Sequence, residues 1–383
     1  MKHFLTIICI AIFLPACTSI TKTGLNQANF KDDFFPSYNK VYIESSEDIF
    51  RLDKKAKSFV SQHTSSLLPQ KDNLSSLLTA IFNRSELALG YLSSANTVAS
   101  DTFHQRQANC LSLTIMMYAM TEHLGMQATF QGVLIPEFWT LRNGNTLLNG
   151  HINLRIAPAM INNKQLSDEN FVVDFEPQRG INRFATKALK RSEVISFFYT
   201  NKGVDWLIND EPEKAYAYLR AALKKNSQSA IAWLNLGVLY SRQGLKSEAE
   251  ISYTNALIIE PRHNTTIENL ALLYRQTGRE REAIKLDYRL HKIRSTNPFF
   301  HLREGDVALR ENKPYLAIKH YKTALKLNEK YHMFYHAMAK AYYAIGDVKN
   351  TQRYLEKARI KADSTSIAEK YASKLNMLLA NGR

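Results

Sequence analysis

Gln107-Ala108-Asn109-Cys110, continued from Leu111 to Leu124 by LSLTIMMYAMTEHL and then by Gly125, decides the reading of the first half of this chain. Drawn as a helix, residues 111–124 carry apolar side chains on nearly every face, as in a helix surrounded by protein. Asn109 is a good N-cap and Gly125 a good residue just past a helix end, so the helix is expected between them. Cys110 then stands in the first turn. A thiol there feels the positive end of the helix dipole and unpaired backbone N–H groups, and both favour the nucleophilic thiolate. The alternative is a small buried hydrophobe, the usual part played by a reduced cysteine.

The rest of the cysteine inventory bears on that choice. The chain has 383 residues and three cysteines, Cys9, Cys17 and Cys110. Residues 1–17 read as an export signal, with Lys2 as the positive end and Phe4–Leu14 as an apolar core too short to span a bilayer. Leu14-Pro15-Ala16-Cys17 resembles the bacterial lipoprotein cleavage site, which implies that Cys17 is lipidated and becomes the mature N-terminus. Thr18 after it implies sorting to the outer membrane, facing the periplasm, and residues 18–44 read as a tether. Cys9 leaves with the signal, so Cys110 has no cysteine to pair with in an oxidising envelope, where an exposed thiol is a liability unless it has a use. The alternative for the N-terminus is an ordinary secretory signal.

Hydrophobic residues make up 45% and charged residues 22%, the proportions of a globular protein. The net charge of +15 suits acidic surfaces such as anionic lipid or wall polymers, or is simply a solvated basic surface. Basic tracts interleaved with aromatics are missing, which argues against nucleic acid as a partner.

Helix-period apolar positions predict helices over 48–67 and 72–88, while 93–106 reads as a loop leading to the nucleophile. Beyond Gly125, strands are expected over Ala128–Pro136 and from Glu137 to Leu141, with turns at Asn143-Gly144 and Asn149-Gly150. His151-Ile152-Asn153-Leu154-Arg155-Ile156 alternates strictly and predicts a half-buried strand opened by His151. Phe171–Phe175 predicts another, carrying Asp174.

The order of these residues resembles the transglutaminase-like cysteine hydrolases, a papain-related superfamily. The resemblance covers about 45–180 and rests on Asn109-Cys110 with Leu-Ser-Leu, Leu124–Ala128, Gly150–Leu154 and Val173-Asp174-Phe175. It implies an α+β papain-like domain over 45–190, with Cys110, His151 and Asp174 as the catalytic triad. A neutral imidazole takes the thiol proton, and a carboxylate on its far nitrogen fixes the tautomer and supports the imidazolium. The acyl-enzyme's oxyanion needs donors, for which the Cys110 N–H and the side chains of Gln105 and Gln107 are candidates. Asn153 and Glu176 are rival third members. His151 has a plain alternative as a strand-end surface residue, and Asp174 as a salt-bridged or capping acid. Ala108 stands where relatives often have glycine, and Trp139 precedes the histidine where many relatives have a tryptophan after it. Trp139 walls the acyl site or is simply core. A metal on Cys110 with His104 or His151 lacks ligand-rich spacing, and no cofactor is expected.

From about 196 the sequence repeats every 34 residues. The clearest copy runs Trp233, Leu236, Gly237, Tyr240, Ala249, Tyr253, Ala256 and Pro261, the tetratricopeptide pattern. The Ala249 position recurs at Ala215, Ala283, Ala317 and Thr351, and the Gly237 position at Gly203, Ala271, Gly305 and Ala339. Five copies fill 196–363, and 364–383 caps an all-α solenoid expected to fold by itself from about Ser192. Its concave face, lined by Asn201, Asn235, Arg242, Asn269 and Arg303, is expected to hold a peptide or protein tail, unless the stack is only a spacer. The sequence thus points to a lipid-anchored envelope thiol acyl-transfer enzyme, hydrolysing or cross-linking an amide, whose solenoid recruits a protein. The competing class is an inactive domain fused to an adaptor solenoid.

Overall fold

A computed structural model describes residues 30–142, 145–157, 160–161, 164–165, 170–175, 185–362 and 365–381. The export signal, Cys17, the first part of the expected tether, the Asn143-Gly144 turn and Glu176 lie outside the described residues.

The first half packs helices against an antiparallel sheet. The helices are α1 (Ser46–Phe50), α2 (Lys54–Gln62), α3 (Gln70–Phe82), α4 (Ala99–Gln105) and α5 (Cys110–His123). The expected 48–67 helix is two pieces, because Ser45 caps one and Asp53 the next, each side chain accepting a backbone N–H three residues on. Leu52 is buried between them. The second helix ends at Phe82 rather than 88, and Ala88 turns at φ 52. Part of the expected 93–106 loop is α4, whose Ala99 and Thr102 are fully buried, so packing overrides weak local preference there. β1 (Gly90–Tyr91) and β2 (Gln107–Ala108) pair in parallel at its flanks.

α5 follows the expectation from its caps. Asn109 Oδ1 accepts the Ser112 N–H at 2.9 Å, and Gly125 supplies a φ of +70° after the last turn. The helix packs against α1, α2, α4 and the sheet. That sheet has the order β7-β4-β3-β8, all antiparallel: β3 (Ala128–Arg142), β4 (Asn145–Ile156), β7 (Phe171–Val173) and β8 (Thr186–Leu189). A small hairpin, β5 (Met160–Ile161) and β6 (Lys164–Gln165), lies between β4 and β7. The two strands expected over 128–141 are one, with a register break between Val133 and Phe138 around Pro136, which cannot donate to the ladder.

The solenoid is five antiparallel helix pairs and a last helix. The pairs are α6 (Arg191–Ile208) with α7 (Pro212–Lys225), α8 (Ala230–Arg242) with α9 (Lys246–Ile259), α10 (Asn264–Gln276) with α11 (Glu280–Ser295), α12 (Pro298–Arg310) with α13 (Pro314–Leu327), and α14 (His332–Ala344) with α15 (Val348–Ile360). α16 (Thr365–Asn381) packs on α15. The periodic small residues lie at the crossings. A Cβ on Gly237 would lie 2.6 Å from the Tyr253 ring, and Gly305 faces Tyr321 in the same way. Ala271 occupies this position in the third pair, where the residue in register with Tyr253 is Asp287, paired with Arg275 instead.

Two expectations about the boundary need correction. Residues 30–44, taken as tether, are docked on the solenoid. Phe35 stacks on Tyr216 with ring centres 4.3 Å apart, and Asp32 receives both Arg220 nitrogens at 2.8 Å and the Tyr216 hydroxyl at 2.6 Å. Burial raises the Asp32 pKa, but the Arg220, Tyr216 and Tyr38 contacts outweigh it and hold the carboxyl below its ordinary value. The aromatics of this segment have apolar surface to hide, and the first repeat provides the place. Nor does the solenoid stand apart from Ser192: one hydrophobic cluster runs from Phe35 through α5 and the sheet to Leu273 in α10. The shared core follows from Val194, Ile195, Phe198 and Tyr199 on α6, all buried.

Candidate functional site

His151 lies within β4 rather than opening it, opposite Val133 of β3. Its side chain is only 1% exposed. Asp174 stands one residue past β7, which pairs with β4 at Leu154–Ile156, so the chain leaving β7 brings its carboxylate back beside His151. The contact is 2.8 Å from His151 Nε2 to Asp174 Oδ2. Asn153, two residues on and therefore on the same face of β4, donates to the same oxygen at 3.4 Å. An ionised carboxylate only accepts, so a neutral His151 carries its proton on Nε2 and leaves Nδ1 as the basic nitrogen. Nδ1 is buried and has no hydrogen-bond partner among the described residues. A buried, unsatisfied ring nitrogen is rare and calls for an explanation in chemistry.

α5 packs on β4 and brings Cys110, half-buried, as its first residue. The turn before it is braced by residues 95–97. Asn109 N–H donates to the Ala95 carbonyl at 3.1 Å, and Thr97 N–H donates to Ser112 Oγ at 2.9 Å. The Asn109 side-chain amide donates to Asn96 Oδ1, and the Asn96 amide donates to Asp205 Oδ2 on α6. Sequence reasoning missed Asn96 and Asp205, since partners 109 residues apart leave no local pattern.

Gln105 ends α4 and Gln107 lies in β2, both exposed, on either side of Arg106, which turns through φ 57. Trp139 pairs in backbone register with Leu148. His104, the alternative metal ligand, is instead 2.6 Å from Asp53. The Ala56 N–H first, and then His104, hold Asp53 below its ordinary carboxylate pKa. Among the described residues no three acids, histidines or cysteines cluster in a metal-binding group, and no helix is long and apolar enough to cross a membrane.

The five solenoid residues differ in availability. Asn235 and Asn269 turn back on their own helices, donating at 2.8 Å to Ile231 O and Thr265 O. Arg242 donates to Leu207 O at 3.1 Å, at the end of α6. Arg303 reaches Glu304 at 3.0 Å, and Asn201 is half-buried on α6. An open cleft of about 380 Å³ lies between the two halves, lined by Ser94, Asn96, Lys202, Asp205 and Trp206 among others.

Residues 209–264 match the family model described as tetratricopeptide repeat. Anaphase-promoting complex subunit 3 of Schizosaccharomyces pombe is 25% identical over 141 residues, 34% of this chain. The chain spans only 21% of the length of that curated relative. Similar solved structures include the MamA protein, 18% identical over 44% of this chain and 91% of that one with a TM-score of 0.25. Another is pilF of Pseudomonas aeruginosa, 20% identical over 49% and 94% with a TM-score of 0.27. The 34-residue sequence period, the helix pairs it builds and the matched family model agree: the C-terminal part of this chain is a stack of tetratricopeptide repeats, a protein-interaction module.

Proposed function

We propose that the chain is a thiol acyl-transfer enzyme in which Cys110 attacks an amide or ester carbonyl and the solenoid recruits the protein that carries it. The observation that carries this reading is His151, held by Asp174 through Nε2 at 2.8 Å with its Nδ1 buried and unsatisfied, on a strand packed against the helix that Cys110 begins. In the reaction Nδ1 takes the thiol proton. The thiolate adds to the carbonyl, and the imidazolium returns its proton to the leaving amine, giving a thioester. Water or a second amine then takes the acyl group. Gln105, Gln107 and the Cys110 N–H are the candidate oxyanion donors. An activated ester such as p-nitrophenyl acetate should leave an acetyl group on the Cys110 peptide, seen by mass spectrometry, in wild type but not in His151→Ala. Equal acylation of both proteins removes the support for this reading.

The second reading is an assembly adaptor with an inactive first domain. It is favoured by the family match, which falls on the repeats, and by the curated relative, itself named as a subunit of a complex. In either reading we propose anchoring through a lipid on Cys17, supported by Leu14-Pro15-Ala16-Cys17. Detergent phase partitioning of wild type and Cys17→Ser tests the anchor, which is lost as a proposal if both remain in the aqueous phase.

A further inference from the structure

The N-terminus of α5 is capped through a directed chain of side chains. Ser112 N–H donates to Asn109 Oδ1, Asn109 Nδ2 donates to Asn96 Oδ1, and Asn96 Nδ2 donates to Asp205 Oδ2. Asn96 and Asn109 are 6% and 5% exposed, so water cannot readily replace a partner lost between them, while Asp205 is half-buried at the edge of the cleft. An amide accepts on one side and donates on the other, and turned over it does the reverse. A carboxylate does not have that choice. The Ser112 N–H, which only donates, and Asp205, which only accepts, therefore fix the sense of the chain from its two ends. Asn96 must turn its nitrogen to Asp205 and its oxygen to Asn109. Asn109 must answer with its nitrogen, which leaves its own oxygen facing the Ser112 N–H. If either amide is reversed, donor meets donor or acceptor meets acceptor in a buried place.

We infer that Asp205, on the first helix of the solenoid, is a positioning residue for Cys110: its acceptor-only carboxylate orients the amides of Asn96 and Asn109 so that the helix begun by the thiol keeps its cap. The inference rests on the reading of Cys110 as a nucleophile whose thiolate is stabilised at a helix N-terminus. It makes the first repeat part of the site, alongside the apolar core that the two halves share.

The test is the pH profile of iodoacetamide alkylation at the Cys110 peptide of the full-length protein, read by mass spectrometry. Asp205→Asn keeps the shape of the side chain but removes the charged, acceptor-only end, so the amides lose the stronger acceptor and only the Ser112 N–H still sets the sense of the chain. Its profile is predicted to move to higher pH, with alkylation at neutral pH slowed about two- to fivefold, the size of a helix-terminus effect. Asp205→Ala should move it at least as far, and Asn109→Ala, which removes the cap itself, furthest. If Asp205→Ala does not fold, the near-isosteric Asp205→Asn decides. A wild-type profile in Asp205→Asn, while wild-type Cys110 titrates low, overturns this inference and leaves the triad standing. A wild-type Cys110 that titrates at the ordinary thiol value of about 8.5 overturns the nucleophile reading and this inference with it.

Discussion

His151 is asymmetric at the level of single atoms. One nitrogen meets a carboxylate and the other has no hydrogen-bond partner among the described residues. Asp174 sets the tautomer, so Asp174→Asn, which can present a donor to Nε2, is predicted to slow Cys110 alkylation at neutral pH by about tenfold or more while the circular dichroism spectrum stays unchanged. Asn153→Ala, which removes a 3.4 Å contact to the same oxygen, is predicted to change it less than threefold, about the worth of one weak hydrogen bond. The reverse order would make Asn153 the third member. The identities of Cys110, His151 and Asp174 were legible because each sits beside a local signal: a cap, an alternating strand, an acid in an apolar run. The pairing of His151 with Asp174 depends on the register of β4 with β7, which no local pattern states.

Among elements, the repeats were the most legible, because close helix crossings demand small residues at fixed spacing. Gly237 has the Tyr253 ring 2.6 Å from where a Cβ would be, and Tyr253 is fully enclosed. Gly237→Val is therefore predicted to destabilise the protein by about 2–3 kcal/mol in chemical denaturation, and a change below about 0.5 kcal/mol contradicts the close crossing. α16 is held differently. Lys374 Nζ donates to His336 Nε2 at 2.8 Å, and Tyr371 meets His332 at 2.7 Å. Burial, then the positive charges of Lys374 and Lys340, with a smaller effect of His332 against the opposing Asp306, push His336 from 6.5 down to about 4. The folded pKa is below the unfolded one, so the unfolded state binds more protons between them. The stability is present above pH 6.5 and is lost as the pH falls toward 4. Hydrogen exchange over 365–378 is predicted to speed up between pH 7.5 and 5, and to become pH-independent in His336→Gln after correction for the intrinsic rate. Equal protection at both pH values in wild type contradicts this.

At the scale of the whole molecule, the two halves are one folded body. The segment 30–44 was the least legible part, since its polar and aromatic mixture reads as tether while its partners stand far away, Arg220 at a separation of 188 residues. Phe35 is 2% exposed between Tyr216 and Tyr240, and Tyr218 and Tyr199 both hydrogen-bond to Glu44. Phe35→Ala is predicted to cost about 3–5 kcal/mol, measured by denaturant titration. A loss under about 1 kcal/mol would return the segment to the status of a tether, since even a modest buried deletion exceeds that.

The central claim is that Cys110 and His151 act as a pair. The pH dependence of Cys110 alkylation in wild type and His151→Ala tests it most directly. The account predicts a wild-type thiol that reacts well below its ordinary titration point of about 8.5, and a His151→Ala profile moved up toward that value, with alkylation at neutral pH at least about tenfold slower. Superimposable profiles, or a wild-type thiol inert in the folded protein, contradict it and leave the adaptor as the function of this chain.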